Sequence, residues 1–323
     1  MIKRLITLVA IMVFIGIVRT PLRAGDKLNI VTTTTDLKAI AESIGGNRVE
    51  VKSICQGYQD PHFAEAKPSF MMIAKKSDLW IRIGLELEIG YEELIIDGSR
   101  NQKIRIGSNG HLDASANIIR LEVPTTKIDR SMGDVHPLGN PHYWLDPYNG
   151  RIMAKNICDR LKKLDPDATK TYDANYEAFV KKIDTAMFGK DILEAVGEDK
   201  LWELQLKGKL EEFIEEHNKK GEGKKLELGG WLAKVKNLKG KKIVTYHRSW
   251  SYFANRFGLI VAGELEPKPG IPPSPGHIAE VIKKMNAEDI KIILMEVFYD
   301  SKPAETVAEK TGARVVKVAN SVG

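Results

Sequence analysis

Apolar and polar positions in this chain fall into strand-like and helix-like stretches by turns. Runs rich in Leu, Ile and Val at residues 28–31, 49–55 and 78–83 predict strands. Between them, residues 36–44 and 67–76 read as helices, the first closed by Gly45 and Gly46, the second opened by Pro68. A further helix starts at 91–96. The theme returns near the other end, with strands at 242–246, 290–295 and 314–318. Helices at 249–257, 276–285 and 302–311 alternate with them, and Gly258 and Gly312 stand as C-terminal stops. The 290–295 run is almost continuously apolar, as in a strand buried on both faces. Alternation of this kind predicts parallel sheets covered by helices, and its two blocks predict two parallel-sheet α/β lobes.

A different pattern separates the blocks. Asp165 and Pro166 open a helix as capping residue and first-position proline. Ala168, Tyr172, Tyr176, Phe179, Ile183 and Met187 then recur at helical spacing. Residues 189–240 are rich in charge, with an acidic–basic helix expected around 201–218 and a lysine-bearing loop behind it. A solvated face accounts for such a stretch more simply than a partner-binding insertion. The expected division is a leader at 1–24, an N-terminal lobe at 25–164, a connecting helix at 165–188, a charged helical insertion at 189–240 and a C-terminal lobe at 241–323.

The leader has a basic start, Lys3 and Arg4, and an apolar core at 5–18 that is short for a membrane span. Ala24 offers a cleavage point. Export is therefore expected, to a periplasmic or other extracytoplasmic compartment. No cysteine follows the apolar core, so the mature chain is expected not to be a lipoprotein. Four of the six net positive charges lie in residues 1–24, as Lys3, Arg4, Arg19 and Arg23 with no acid, leaving +2. That balance gives no whole-surface footprint for nucleic acid. Two cysteines exclude a disulfide scaffold or a four-thiolate zinc site. Cys55 and Cys158 are expected to be separate buried thiols.

Three of the seven histidines stand in informative loops. His62 follows the second strand in Asp60-Pro61-His62-Phe63. His142 lies in Asn140-Pro141-His142-Tyr143-Trp144-Leu145-Asp146-Pro147. His247 follows the strand ending at Tyr246. Loops leaving the carboxyl ends of parallel strands are where open α/β sheets bind ligands. Pro61 and Pro141 stiffen the approach of two of the rings. A shared metal site and a scatter of unrelated histidines both remain open from spacing alone. His136 is a candidate auxiliary ligand, while His111, His217 and His277 read as structural or exposed. There is no His-Glu-x-x-His, no Gly-x-Ser-x-Gly elbow and no phosphate-cradling Gly-Lys-Ser/Thr loop.

With these motifs in order, the sequence resembles the solute-binding proteins of bacterial metal-ion ABC transporters, the zinc/manganese class. Carrying the resemblance are Asp60-Pro61-His62, Lys67-Pro68-Ser69, Gly84-Leu85-Glu86-Leu87-Glu88 and the 140–147 segment. Thr245-Tyr246-His247, Tyr252-Phe253-Ala254, Phe257-Gly258-Leu259, the Glu266 to Ile271 run, Glu296 and Thr311-Gly312-Ala313 continue it. The resemblance implies two lobes joined by one long rigid helix, with a metal cleft between them, and a membrane ABC permease as partner of a monomeric binding protein. It implies His62 and His142 as ligands from the first lobe and His247 from the second. Imidazoles suit tetrahedral Zn²⁺, whereas Mn²⁺ favours more oxygen donors, so Zn²⁺ is expected and Mn²⁺ stands second.

The chain departs from the family in stopping at Gly323, before an acidic fourth ligand and a closing helix, and in the 189–240 stretch. Glu296 is a substitute candidate for the fourth position. The family's His-rich loop is absent, with His136 in its place. Two other readings are an exported zinc hydrolase, with Glu296 or Asp60 as base, and a binding protein for a metal chelate.

Overall fold

The computed structural model describes residues 27–126, 136–221, 223–268 and 270–323; the expected leader lies outside them. The first sheet has the order β2 (Val49–Ser53), β1 (Leu28–Thr32), β3 (Leu79–Arg82), β4 (His111–Asp113), every pair parallel. Helices α1 (Thr35–Gly45), α2 (Pro68–Lys75) and α3 (Glu92–Ser99) make the crossovers. In α1, Thr34 Oγ1 accepts from Leu37 N, and Leu37, Ile40, Ala41 and Ile44 form the buried stripe that a 3.6-residue period requires. Two long helices follow, α4 (Pro147–Leu164) and α5 (Thr169–Phe188). They run antiparallel, since Lys162 bonds Asp173 near the turn while Arg151 reaches Asp184 at the far end.

The second sheet repeats the plan with the order β6 (Ile260–Glu264), β5 (Lys242–Thr245), β7 (Ile292–Glu296), β8 (Arg314–Val318), again all parallel. Helices α10 (Ser251–Phe257), α11 (Pro275–Ala287) and α12 (Lys302–Thr311) connect its strands. Each lobe thus has a topological switch point, at β1/β3 and at β5/β7, where the crevice at the strand ends opens.

Between the sheets come α6 (Lys190–Val196), α7 (Glu198–Leu206), α8 (Leu210–Lys220) and α9 (Gly230–Lys234). The single helix expected at 201–218 is two, broken where Gly208 takes φ +66°. This charged stretch has an apolar inner side. Ile192, Leu201, Trp202, Leu204 and Leu210 form a core with Phe188 at the end of α5 and Phe257 of α10.

Other expectations shift locally. Asp165 does not cap through its side chain; its carboxylate instead takes the Arg48 guanidinium at 2.7 Å and the Tyr172 hydroxyl at 2.7 Å. Strands β4 and β6 were not read from the sequence. β4 is three residues with His111 and Asp113 at its ends and so carries no apolar run, while β6 is an edge strand with no fully buried residue. Cys55 and Cys158 are separate buried thiols.

The lobes are tied to one another by polar contacts around a shared core. Tyr252 of α10 packs in the first lobe's core, and its hydroxyl accepts from Leu121 N while donating to the Asn140 carbonyl. Arg256 of α10 pairs with Asp146 at the start of α4. After β8, the Asn320 carbonyl accepts from Trp144 Nε1 at 2.7 Å.

Candidate metal centre

His62 sits in one 3-10 turn, Pro61–Phe63, just after β2. Asp60 Oδ1 accepts the His62 backbone N–H at 3.0 Å and pairs with its Nδ1 at 2.8 Å. The device recurs at His142, where Asn140 Oδ1 accepts the backbone N–H at 2.9 Å and pairs with Nδ1 at 2.9 Å. Both segments read Asx-Pro-His. The Asx side chain closes a local turn, the proline fixes φ within it, and the imidazole is aimed by both. His247 leaves the end of β5, and its Nδ1 meets Glu266 Oε2, just beyond β6, at 2.5 Å. With Nδ1 engaged in each case, the partners assign the tautomer that leaves Nε2 open.

The ligand atoms of His62, His142 and His247 lie within 4.8 Å of one another. Two come from the first lobe and one from the second. His142 and His247 are buried and His62 is half-buried. His136 stands beside this set, its Nε2 3.2 Å from His62 Nε2. Two ring nitrogens facing at that distance repel unless a proton or a cation comes between them. Burial, reinforced by the neighbouring imidazoles, holds His142 well below the usual imidazole range and lowers His136 to about 3. Both rings therefore stand neutral near neutral pH, the form that ligates.

Asp60 is held from both sides, since Tyr299 of the second lobe donates to its Oδ2 at 3.1 Å. Tyr299 stacks on Tyr246 with centroids 4.5 Å apart. Burial works to raise the Asp60 carboxyl, and the bonds to His62 outweigh it, so it lies below the usual carboxylate range. Glu296 ends β7 fully buried, and the structure does not bring it into the set of mutually close ligand atoms. Its two oxygens have no hydrogen-bond partner among the described residues, and burial pushes it up to about 8. For a hydrolase, then, Asp60 has both oxygens engaged and Glu296 stands outside the set of mutually close ligand atoms. A cavity of about 490 Å³, lined by His136, His142, His247, Arg248 and Glu122 among others, opens the site outward.

Of the remaining histidines, His111 is buried on β4 with Nε2 2.9 Å from Glu92 Oε1, a structural pairing. His217 and His277 bond backbone carbonyls, of Lys224 and Glu264. Asn140 and Glu266 carried no role in the sequence reading, and Asp60 only that of a base. The repeated Asx-Pro-His was the available signal for two of these three.

Two parallel α/β lobes, tied by long helices and closing imidazoles from both sides into one cleft, define a substrate-binding protein of a metal ABC transporter. Over residues 30–187 and 205–323 the chain matches the family described as zinc-uptake complex component A, periplasmic, and it belongs to that family. A metal ABC transporter substrate-binding lipoprotein of Lactococcus lactis subsp. lactis is 26% identical over 290 residues, 88% of this chain and 76% of the relative. The manganese ABC transporter substrate-binding lipoprotein scaA of Streptococcus gordonii is 25% identical over 289 residues, 89% of this chain and 77% of the relative. A crystal structure of ZnuA shares the fold with a TM-score of 0.66 at 23% identity, covering 92% of each chain.

One expectation is corrected by these relatives. The chain was expected not to be a lipoprotein, yet both curated relatives are named as lipoproteins. The contrary argument rested on a missing cysteine beside an apolar core that lies outside the described residues, and it carries no weight against an anchored class. An exported location is consistent with the family description.

Proposed function

We propose that this chain captures Zn²⁺ outside the cytoplasm and, as a monomer, delivers it to a membrane ABC permease for import. His62, His142 and His247 serve as ligands, and His136 closes the fourth position. The observation that carries the reading is the convergence of three imidazoles from two lobes, each with its far nitrogen engaged, beside a fourth ring. A tetrahedral Zn²⁺ with bonds of about 2.0–2.1 Å needs nitrogen–nitrogen edges of about 3.3 Å. The 3.2 Å His136–His62 spacing already suits such an edge, and His62, His142 and His247, within 4.8 Å of one another, close by at most about 1.5 Å. The metal is the finer part of the reading, since the family description names zinc and the Streptococcus gordonii relative manganese. An all-nitrogen donor set favours Zn²⁺, because Mn²⁺ binds imidazole weakly and takes carboxylate and water instead.

Metal content of protein purified without added metal, followed by competition between the two ions, tests this. Zn²⁺ is expected to bind at least about a hundredfold more tightly than Mn²⁺. Equal affinity, or preference for Mn²⁺, overturns the zinc assignment, and no binding of either ion overturns the site.

A second expectation concerns the groups behind the ligands. Glu266→Gln keeps the shape beside His247 but removes the negative charge that makes its imidazole a better donor. Zn²⁺ affinity is expected to fall by about tenfold, the lower end of what outer partners of metal-bound histidines contribute. A chelator-competition titration reads it, and an unchanged constant would show that Glu266 does not support the ligand.

A further inference from the structure

The two Asx-Pro-His turns of the first lobe share a second feature. In each, the Asx side chain that aims the histidine is itself held from the opposite lobe. Asn140 Nδ2 donates to the carbonyl of Arg248, the residue after His247, at 2.8 Å. Asp60 Oδ2 accepts from the Tyr299 hydroxyl at 3.1 Å. Asp60 and Tyr299 are 239 residues apart in the chain, and it is the approach of the lobes that brings them together.

Tyr299 can transmit that approach. It follows β7 and packs against the second lobe's core. Its ring stacks on Tyr246 at 4.5 Å with the planes 11° apart, and its centroid lies 6.0 Å from that of His247. The ring is thus fixed on the His247 side of the cleft, while its hydroxyl crosses to the His62 side. Asp60 has only Oδ1 for both of its bonds to His62, the backbone N–H at 3.0 Å and Nδ1 at 2.8 Å. The torsion that turns a carboxylate on its Cβ is broad, so a grip on one oxygen leaves the plane of the group loose. The bond to Oδ2 fixes that plane, and with it the line along which His62 Nε2 faces the cleft.

We propose that Tyr299 is a positioning residue that ties lobe closure to the aim of His62: its hydroxyl, carried by the second lobe, locks the Asp60 carboxylate that orients this ligand, and frees it when the lobes part. The inference rests on the reading of the histidine cluster as the metal site. Opening the cleft then does more than withdraw His247. It also loosens a ligand of the first lobe, so release starts from both sides of the ion. A Tyr299 that served only the packing of the second lobe would do so through its ring, which phenylalanine keeps. A positioning Tyr299 acts through Asp60 and His62, so its effect vanishes when either is gone.

A double-mutant cycle built on Tyr299→Phe separates these. The single substitution is expected to weaken Zn²⁺ in chelator competition by about three- to tenfold, less than the loss of a partner that touches the ligand directly. Stopped-flow transfer to a chelator should place the loss in faster dissociation. The visible bands of the Co²⁺-loaded protein should shift as well, because the ligand geometry changes, and a packing role would not move them. In an Asp60→Ala background Tyr299→Phe should add nothing, since its route to His62 is already cut. His62→Ala supplies the same background if Asp60→Ala does not fold. Affinity and Co²⁺ bands unchanged in folded Tyr299→Phe, or the full loss persisting in either background, overturns the proposal. A protein whose Zn²⁺ affinity is indifferent to His62→Ala alone would instead overturn the site itself, a different and recognisable result.

Discussion

His142→Ala is expected to weaken Zn²⁺ binding by about 10²–10³-fold. Four-ligand zinc sites hold the ion with roughly 10–16 kcal/mol, so each imidazole accounts for about 3–4 kcal/mol, and every 1.4 kcal/mol is tenfold. His142 should show the full effect, because it is the most enclosed of the ligands. It is 2% exposed, and Trp144 lies against its ring with centroids 5.1 Å apart. The fold should survive. The Asn140 side chain still accepts the backbone N–H of residue 142 and still donates to the Glu122 carboxylate and the Arg248 carbonyl. Chelator competition measures the loss, and far-ultraviolet circular dichroism checks that the secondary structure is retained. His136→Ala provides the contrast, with a smaller expected loss, since that ring stands outside the mutually close set of three. Retention of affinity within threefold in a folded His142→Ala protein would remove the site as placed here.

Much of this architecture was legible in the amino-acid pattern, for identifiable reasons. The buried parallel strands announce themselves because both faces must be apolar, as in 290–295. His62 and His247 could be placed at strand ends because the strands before them were visible. What escaped is what has no local signal. β4 is held by pairing with β3, and by His111 meeting a glutamate nineteen residues away, not by any apolar run. Glu266 reaches His247 from beyond β6, itself an edge strand whose residues are half-buried or exposed. His136 was named as an auxiliary candidate, but its nearness to His62 is a tertiary relation that no local pattern shows. Asp60 and Asn140 stood in plain view. Reading Asx-Pro-His twice as a motif that orients an imidazole would have assigned them.

The largest stability effect should lie away from the metal, at Arg256. Its guanidinium forms a two-pronged bond with Asp146, Nε to Oδ1 at 2.7 Å and Nη2 to Oδ2 at 2.7 Å, with both residues buried. Asp146 Oδ1 also accepts from Tyr148 N at 2.9 Å and so caps α4. The Arg256 plane lies 5.5 Å from the Trp202 ring and 5.9 Å from that of Tyr148. One cation therefore joins the second lobe's α10 to the start of α4 and to α7. Arg256→Ala leaves a buried carboxylate without its counter-charge, a change that costs about 3–5 kcal/mol. At about 2–4 °C per kcal/mol, the slope for domains of 150–250 residues, the apo melting temperature should drop by roughly 6–20 °C. The sign of a control follows from the same physics. Asp146→Asn combined with Arg256→Met removes both charges and keeps the volume and the cap, so it should cost less than the single Arg256→Ala, because no lone ion remains buried. Differential scanning calorimetry of the two variants decides it. If the single variant melts within 2 °C of wild type, Asp146 is reached by water, and the Asp146–Arg256 pair is not what holds the lobes together. If the single variant does melt early, saturating Zn²⁺ should recover part of the loss, since a ligand bound only by the folded cleft adds RT ln(1 + [Zn²⁺]/Kd) to its stability. His142 stands only four residues before Asp146, so loosening the start of α4 should reach the metal site directly.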